Sequence, residues 1–129
     1  MCGIIGIFQP NNNNRLELHN LIENIKHRGP DNTGIWCDKN ISLGNTRLKV
    51  VDLDDNSNQP FISRNKRYVI IFNGEIYNHK SLKKKYNIFT KTKSDTEVIV
   101  ELFAKIGHKC FNLLDGMFSV AIFDKKGDQ

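Results

Sequence analysis

The chain begins with Met1-Cys2-Gly3-Ile4-Ile5-Gly6-Ile7-Phe8, in which a candidate nucleophile, Cys2, precedes an apolar run. An initiator methionine before a small residue is normally removed, which would leave Cys2 with a thiol and a free α-amine. A thiol attacks as the thiolate and needs a base. An α-amine, with a reference pKa of roughly 7.7–8.0 against roughly 10.4 for lysine, can be that base near neutral pH. The structural alternative is a small buried cysteine before a strand, and the apolar run Gly3–Gln9 does predict a buried strand.

Length and composition are those of one globular domain. The chain has 129 residues, of which 39% are hydrophobic and 26% charged, which is enough to bury a core. No apolar run is long enough to span a membrane, and the N-terminal stretch lacks the basic residues of a signal peptide. We therefore expect a cytoplasmic chain with reduced thiols and no membrane partner. Cys2, Cys37 and Cys110 form no CxxC pair, and the histidines share no ligand spacing, so we expect no disulfide framework and no metal site.

The formal net charge of +5 is the feature that could point to nucleic acid. Lys83-Lys84-Lys85 is the basic run of the sequence. However, the chain has neither the aromatic–basic pattern of an RNA-recognition sheet nor a helix-turn-helix with a basic second helix. We interpret the lysines as a solvated surface and expect no nucleic-acid partner. A nucleic-acid-binding module stays an alternative that rests on net charge alone.

The first half of the chain predicts one helix and a β-hairpin. Leu18, Leu21, Ile22 and Ile25 recur at helical spacing, and Gly29-Pro30 should end that helix. The expected elements are a helix over Leu16–Lys26, strands over Gly34–Cys37 and Ile41–Asn45 around the turn Asp38–Asn40, an extended run over Thr46–Leu53 and a loop over Asp54–Pro60.

The second half of the chain predicts a core strand followed by helices. Ser94 and Glu97 have the spacing of a capping box, which begins a helix, and Gly107 should end it. This irregular order of strands and helices favours an α+β fold with mostly antiparallel sheets. Because the chain stops where a partner strand should return, we expect a fragment. The expected elements are strands over Arg67–Phe72, Ile88–Thr92 and Met117–Asp124, the last of them buried, helices over Ser81–Tyr86 and Ser94–Ile106, and a hairpin turn over Lys125–Asp128.

Several polar residues could bind a small amino acid. Asn73-Gly74 follows a core strand and can supply two N–H donors to one oxygen, as an oxyanion hole requires, although a plain Asn-Gly turn is the commoner meaning of the pair. Arg47 can clamp a carboxylate in bidentate fashion or lie on the surface. Asp95 lies in the first turn of a helix, where the helix dipole favours a carboxylate in any case. Glutamine fits this set, with its carboxylate on Arg47, its ammonium on Asp95 or Glu75, and its side-chain amide at Cys2.

Six short motifs follow one another along the chain. They are Met1-Cys2-Gly3-Ile4, His27-Arg28-Gly29-Pro30-Asp31, Arg47-Leu48 with Val51-Asp52-Leu53, Phe72-Asn73-Gly74-Glu75-Ile76-Tyr77-Asn78, Ser94-Asp95-Thr96-Glu97 and Leu114-Asp115-Gly116-Met117-Phe118. In this order the chain resembles the N-terminal glutaminase domain of glutamine-dependent asparagine synthetases. These are class II glutamine amidotransferases and N-terminal-nucleophile hydrolases. Other class II domains share the N-terminal cysteine and the Asn-Gly pair but differ in the residues around them.

The resemblance implies a site and a fold. Cys2 would be the nucleophile and, through its α-amine, the base, while Asn73 and Gly74 would form the oxyanion hole. The fold would be an αββα arrangement, with two stacked antiparallel sheets between helical layers, incomplete at the C-terminus. The residues that would bind L-glutamine or line its pocket are Arg47, Leu48, Lys49, Val50, Val51, Glu75 and Asp95.

The resemblance also implies partners. Nothing in the sequence resembles the ATP loop of the family's synthetase domain, so we expect a single, partial type 2 glutamine amidotransferase domain over residues 1–129. It would hydrolyse glutamine to glutamate and ammonia without a cofactor; ATP and Mg²⁺ would belong to the absent synthetase domain. The ammonia acceptor, such as activated aspartate, would lie on that domain or on a separate synthetase chain, and this chain could form a homodimer. The alternative is an inactive glutamine-binding or regulatory fragment.

Overall fold

The computed structural model describes residues 2–9, 15–49 and 55–127. Within these ranges the chain forms two three-stranded antiparallel sheets and three α-helices. None of the described helices is long and apolar enough to cross a membrane. The strands are β1 (Gly3–Phe8), β2 (Asn32–Cys37), β3 (Ile41–Arg47), β4 (Phe61–Ile62), β5 (Tyr68–Ile76) and β6 (Gly116–Asp124), and the helices are α1 (Arg15–Ile25), α2 (His79–Lys85) and α3 (Asp95–Ile106).

The first sheet has the strand order β1-β3-β2. β2 and β3 form the predicted hairpin, in which Cys37 lies opposite Ser42 and the Asp38 N–H donates to the carbonyl of Ile41 at 2.8 Å. β1 pairs with the other edge of β3, so that Gly3 lies opposite Thr46. The beginning of β1 and the end of β3 are therefore neighbours.

The second sheet has the order β4-β5-β6, and its central strand β5 is buried on both faces. Val69 and Ile71 pack against Leu43 of the first sheet. Ile70 and Phe72 point the other way, into a cluster with α3. This alternation explains why β5 is apolar at successive positions, since both of its faces meet a core.

Helices cover the outer faces of the two sheets. α1 packs on β3 through Leu18 and Ile22, which are fully buried and lie outside the cluster between the sheets. α3 covers β5 through Ile99 and Val100. The layers thus run helix, sheet, sheet, helix, which confirms the predicted α+β fold of the αββα type.

Two strands predicted to be buried are partly exposed. Phe8 of β1 is 63% exposed and Met117 of β6 is 70% exposed. Among the described residues, β1 pairs with β3 alone and β6 with β5 alone. An apolar run in an edge strand has the composition of a core strand, so the sequence pattern does not distinguish the two.

The predicted strand Ile88–Thr92 is wrong, because this segment forms no strand. Two of its backbone N–H groups, at its end, bind a side chain instead of a neighbouring strand, and the Ile88 N–H donates to the carbonyl of Lys83. The Glu97 carboxylate accepts from the N–H of Lys91 at 2.9 Å and from that of Thr92 at 2.8 Å. Glu97 therefore does not close the expected capping box, although Ser94 is the helix N-cap and its hydroxyl accepts from the Thr96 N–H.

The remaining boundaries differ by a few residues. α2 begins at His79 rather than Ser81. Thr46 and Arg47 of the predicted extended run complete β3, whereas Val50–Leu53 lie outside the described residues, as does Asp128 of the predicted turn.

We expect Leu102→Ala to lower the free energy of unfolding by about 2–5 kcal/mol, because the substitution leaves a cavity in a packed core. Leu102 is fully buried and packs against Leu82 and Ile88. Urea denaturation of the purified chain measures the change. The matched control is Leu16→Ala on α1, because Leu16 is 78% exposed and its truncation should change stability little. Equal losses in the two variants would contradict this core assignment.

Candidate active site

A cavity of about 200 Å³ lies where β1 begins and β3 ends. Its walls come from both sheets and from the start of α3, and they contain seven of the predicted site residues. These are Cys2, Arg47, Leu48, Asn73, Gly74, Glu75 and Asp95. Segments far apart in the sequence are thus brought to one small space. A cavity of this size suits a ligand smaller than drug-sized molecules, whose pockets measure about 300–1,000 Å³.

Cys2 directly precedes β1, and its sulfur contacts the backbone that follows β3. The Leu48 N–H donates to Sγ at 3.4 Å, and the thiol lies 3.8 Å from the Leu48 carbonyl, as donor to it. The Gly3 N–H donates to the Thr46 hydroxyl at 3.1 Å, and Arg28 Nε donates to the Cys2 carbonyl at 3.2 Å. The backbone of Cys2 is therefore held on both sides by the Gly3 and Arg28 hydrogen bonds.

The loop His27–Asp31 organises this half of the site. The Asp31 N–H donates to the Arg47 carbonyl at 3.1 Å, and the Asp31 carboxylate accepts from the Lys49 N–H at 2.8 Å. With the Arg28 contact to Cys2, one loop binds both Cys2 and the end of β3 opposite it. The roles of Arg28 and Asp31 in this motif, and of Thr46 in β3, were not predictable from the sequence, because their partners are backbone groups.

Arg47 is the last residue of β3 and is only 6% exposed. Its Nη1 donates to Asn58 Oδ1 at 2.7 Å, which fixes the guanidinium at the cavity wall. Lys49 is not part of that wall. Its ammonium pairs with Asp55 at 2.7 Å, and this hydrogen bond is the main reason why the pKa of Asp55 lies below its usual value. Val50 and Val51 lie outside the described residues.

The sequence suggested that Asn73-Gly74 follows the end of a core strand, where it could form a turn. The structure shows instead that it lies within the strand. β5 continues through it to Ile76, with Gly74 opposite Phe118 of β6. Gly74 has φ +150°, and a Cβ at this position would lie 2.1 Å from the Met117 carbonyl oxygen. The close approach of β6 therefore requires glycine, because no side chain fits between the strands.

One edge of β5 faces the cavity. The Phe72 N–H donates to the side-chain oxygen of Gln59 at 2.6 Å, and the Ile76 N–H donates to Asp95 Oδ2 at 3.0 Å. N–H groups two residues apart in a strand point to the same edge, so we expect the Gly74 N–H to point there too. The Asn73 side-chain oxygen is buried without a hydrogen-bond partner among the described residues, an arrangement that costs about 1–3 kcal/mol.

Asp95 begins α3 and is 7% exposed. Burial raises the pKa of its carboxyl, and hydrogen bonds from backbone N–H groups and the nearby His79 oppose that shift. The two bonds to side-chain oxygens come from Ile76 and Thr96, the latter at 2.9 Å. Glu75, by contrast, is exposed at the cavity rim.

A second cavity of about 570 Å³ lies elsewhere on the surface. Exposed cationic side chains line it, among them Arg64 and Lys91, and it contains none of the predicted site residues. We therefore place the chemistry in the smaller cavity. Over residues 2–9, 15–49 and 55–127, no group of three or more His, Cys, Asp or Glu side chains could hold a metal ion.

The sequence matches a family model described as a glutamine amidotransferase domain, over residues 1–129. The chain belongs to this family. It is 37% identical to asparagine synthetase B of Escherichia coli over 99% of this chain and 24% of the relative. It is 36% identical to the asparagine synthetase of Zea mays and 35% identical to asparagine synthetase 2 of Arabidopsis thaliana. Each of these two alignments covers 98% of this chain and 22% of the relative.

The resemblance to the glutaminase domain of glutamine-dependent asparagine synthetases is thereby confirmed. All three relatives carry the words "glutamine-hydrolyzing" in their names. The chain spans about a quarter of their length. The roles of the individual site residues of this amidotransferase domain stay predictions, which the geometry supports to different degrees.

We expect the Cys110 thiol of the amidotransferase domain to resist alkylation in the folded protein. Burial raises its pKa to about 11, so it is almost entirely protonated at neutral pH, and the thiolate is the reactive form. Iodoacetamide treatment followed by peptide mass mapping checks this. Cys110 should be labelled only in urea, and labelling of the native protein at Cys110 would contradict its place in the core.

Proposed function

We propose that the chain, once Met1 is removed, hydrolyses L-glutamine to glutamate and ammonia with Cys2 as the nucleophile. The observation that carries this proposal is the convergence of Cys2, Arg47, Gly74 and Asp95 on one cavity of about 200 Å³. The family match supports the same activity. Met1 itself lies outside the described residues.

Glutamine binding uses the two charged walls of the cavity. The buried guanidinium of Arg47 takes the α-carboxylate, a pairing in which charge-assisted hydrogen bonds are strong. Asp95, with Glu75 at the rim, takes the α-ammonium. This leaves the side-chain amide to extend toward Cys2, where the backbone of Leu48 contacts the sulfur.

The reaction has two steps, as expected for covalent catalysis. The Cys2 α-amine takes the thiol proton as the sulfur attacks the amide carbon, and the oxyanion binds Asn73 and the Gly74 N–H. The protonated amine gives its proton to the leaving nitrogen, ammonia departs, and a thioester remains. Water, deprotonated by the same amine, attacks the thioester; the sulfur leaves, and glutamate and the free thiol form.

The ammonia acceptor is assigned from the relatives. They are asparagine synthetases about four times as long as this chain, so the ammonia would pass to a synthetase domain or a separate synthetase chain that activates aspartate. ATP and Mg²⁺ would act there, while the glutaminase step uses groups of this chain alone. A reducing compartment such as the cytoplasm would keep the Cys2 thiol free.

The test of this proposal is covalent labelling by a diazoketone analogue of glutamine. We expect one adduct, mapped to Cys2, on a chain whose Met1 has been removed, together with glutamate formation from glutamine. Cys2→Ala should abolish both and leave the far-ultraviolet circular dichroism unchanged. Cys37→Ala is the matched control, because Cys37 is a free, partly buried thiol that does not line the cavity.

The outcomes separate the proposal from its alternative. Turnover that persists in Cys2→Ala would overturn the mechanism. Thermal stabilisation by glutamine with neither adduct nor glutamate, on a chain that begins at Cys2, would favour a glutamine-binding or regulatory fragment.

We expect kcat/KM for glutamine to fall as the pH is lowered through the raised pKa of Asp95. Only the ionised carboxylate attracts the substrate ammonium, and because burial raises this pKa, protonation begins above the usual value of 3.8. The pH dependence of kcat/KM reports the ionisation of the free enzyme. Asp95→Asn should lower kcat/KM and remove the part of the acid limb that this carboxyl causes, while the part that comes from protonation of the Cys2 α-amine, the proposed base, should remain.

Asp115→Asn is the control for this profile, because Asp115 is exposed and lies outside the cavity wall. Circular dichroism at each pH shows that the chain stays folded. An acid limb that is as steep in Asp95→Asn as in the unsubstituted chain would refute the ammonium-binding role.

A further inference from the structure

Gln59 is a buried polar residue that sequence analysis gave no role. It is 6% exposed, lies outside the regular strands and helices, and contributes to the cavity wall. Its side-chain oxygen accepts from the Phe72 N–H at 2.6 Å. Its side-chain nitrogen donates to the Thr96 hydroxyl at 3.3 Å. One amide group thus joins the strand that carries Asn73-Gly74 to the helix that carries Asp95.

The position of Gln59 follows from where β4 stops. β4 pairs with β5 through Phe61 opposite Ile70 and Ile62 opposite Val69. The same register, continued by two residues, would bring Gln59 opposite Phe72, but β4 begins at Phe61. Proline at position 60 has no N–H to donate to a ladder. The side chain of Gln59 therefore supplies the acceptor that a longer β4 would have offered to Phe72.

The backbone of Gln59 is held against the first sheet. A Cβ on Gly34 of β2 would lie 1.7 Å from the Gln59 carbonyl oxygen, so the two backbones are in close contact. Gln59 consequently contacts three parts of the structure at once: β2 of the first sheet, β5 of the second sheet and the first turn of α3. Because the backbone of Gln59 is fixed and both ends of its amide are hydrogen-bonded, the three parts can move little relative to one another.

Along this edge of β5, the backbone N–H groups two positions before and two positions after Gly74 donate to side chains. Gln59 binds the Phe72 N–H and Asp95 binds the Ile76 N–H. Every second N–H of a strand points to the same edge, so the Gly74 N–H points to this edge as well. We therefore expect it to be the donor that faces the cavity. The direction of that N–H therefore depends on the strand segment that Gln59 and Asp95 hold from either side.

We propose that Gln59 is a positioning residue for glutamine hydrolysis, which fixes the oxyanion-binding segment Phe72–Gly74 relative to the ammonium-binding start of α3. The inference rests on the proposed function. Gln59 acts through Phe72 and Thr96, to which the two ends of its side-chain amide are bonded. Its loss should lower kcat, because a displacement of about 1 Å in a catalytic group can cost on the order of 100-fold in rate.

The experiment compares Gln59→Met with Ser63→Ala. Methionine has a similar length and no amide. Ser63 is the matched control, because it is also buried and its hydroxyl accepts from the N–H of Tyr68 at 2.9 Å, at the opposite end of β5 from Asn73-Gly74. Each variant thus deletes one side-chain acceptor for a β5 N–H, and thermal unfolding shows how much stability each one loses.

We expect Gln59→Met to lower kcat and the rate of Cys2 labelling by the diazoketone analogue by about 10- to 100-fold, whereas iodoacetamide should alkylate Cys2 at an unchanged rate. Ser63→Ala should leave all three rates unchanged. A Gln59→Met variant with unchanged kcat, or with the loss seen equally in Ser63→Ala, would overturn the positioning role.

The positioning role can also be tested if the unsubstituted chain proves inactive. In that case the proposed function fails, and amide hydrogen exchange gives the answer. Exchange at Phe72 and Asn73 should be at least 10-fold faster in Gln59→Met than in Ser63→Ala, and equal exchange in the two variants would refute the role of Gln59.

Discussion

The unpaired edge of β5 next to the cavity is the constraint on which the site depends. β6 borders β5 along its whole length, from Tyr68 to Ile76, whereas β4 borders it for two residues only. A buried N–H without an acceptor costs about 1–3 kcal/mol, so the remaining edge must be satisfied in another way. Side chains do so at Phe72 and Ile76, and the interval between them carries Asn73 and Gly74, the proposed oxyanion donors.

Cys2, the proposed nucleophile, directly precedes β1 of the first sheet, so packing between the sheets sets its position relative to β5. Cys2 is fastened to the first sheet through Gly3 and Thr46, while Asn73 and Gly74 belong to the second. The cluster that joins the sheets contains Leu43 on one side and Val69 and Ile71 on the other. A core packed at crystal-like density has few alternative arrangements, so the separation between the Cys2 sulfur and Asn73-Gly74 is set by residues that do not line the cavity.

Local signals predicted the local structure well. The hairpin around Asp38–Asn40 and the helix from Ser94 to Ile106 depend on turn residues, an N-cap and helical periodicity, all of which lie within a few positions of one another. The prediction of a strand over Ile88–Thr92 failed because two N–H groups at its end bind the Glu97 side chain, and propensity carries no information about such a partner. The exposure of β1 and β6 likewise depends on which strands are neighbours.

The sequence predicted residues that line the cavity, but it did not predict the residues that hold them in position. The order of the motifs identified Cys2, Asn73 and Asp95 as candidates, and the fold brings them to one cavity. Gln59 was missed because it binds Phe72 and Thr96, which are 13 and 37 positions away in the sequence. A glutamine before a proline gives no sign of such partners, since its two hydrogen bonds exist only once the second sheet and α3 have packed together.

The Asp95 carboxylate binds backbone N–H groups of the fold and is also the proposed partner of the substrate ammonium. This carboxylate can accept about four hydrogen bonds, and Ile76 and Thr96 supply two of them. Those bonds favour the charged form, yet burial still raises the pKa of the carboxyl, so the backbone donors alone do not compensate the desolvation. A substrate ammonium on the remaining lone pairs would add the missing opposite charge, which favours ionisation. The same interaction that completes the electrostatics of Asp95 would also hold glutamine in place, so binding and the stabilisation of this buried charge are coupled.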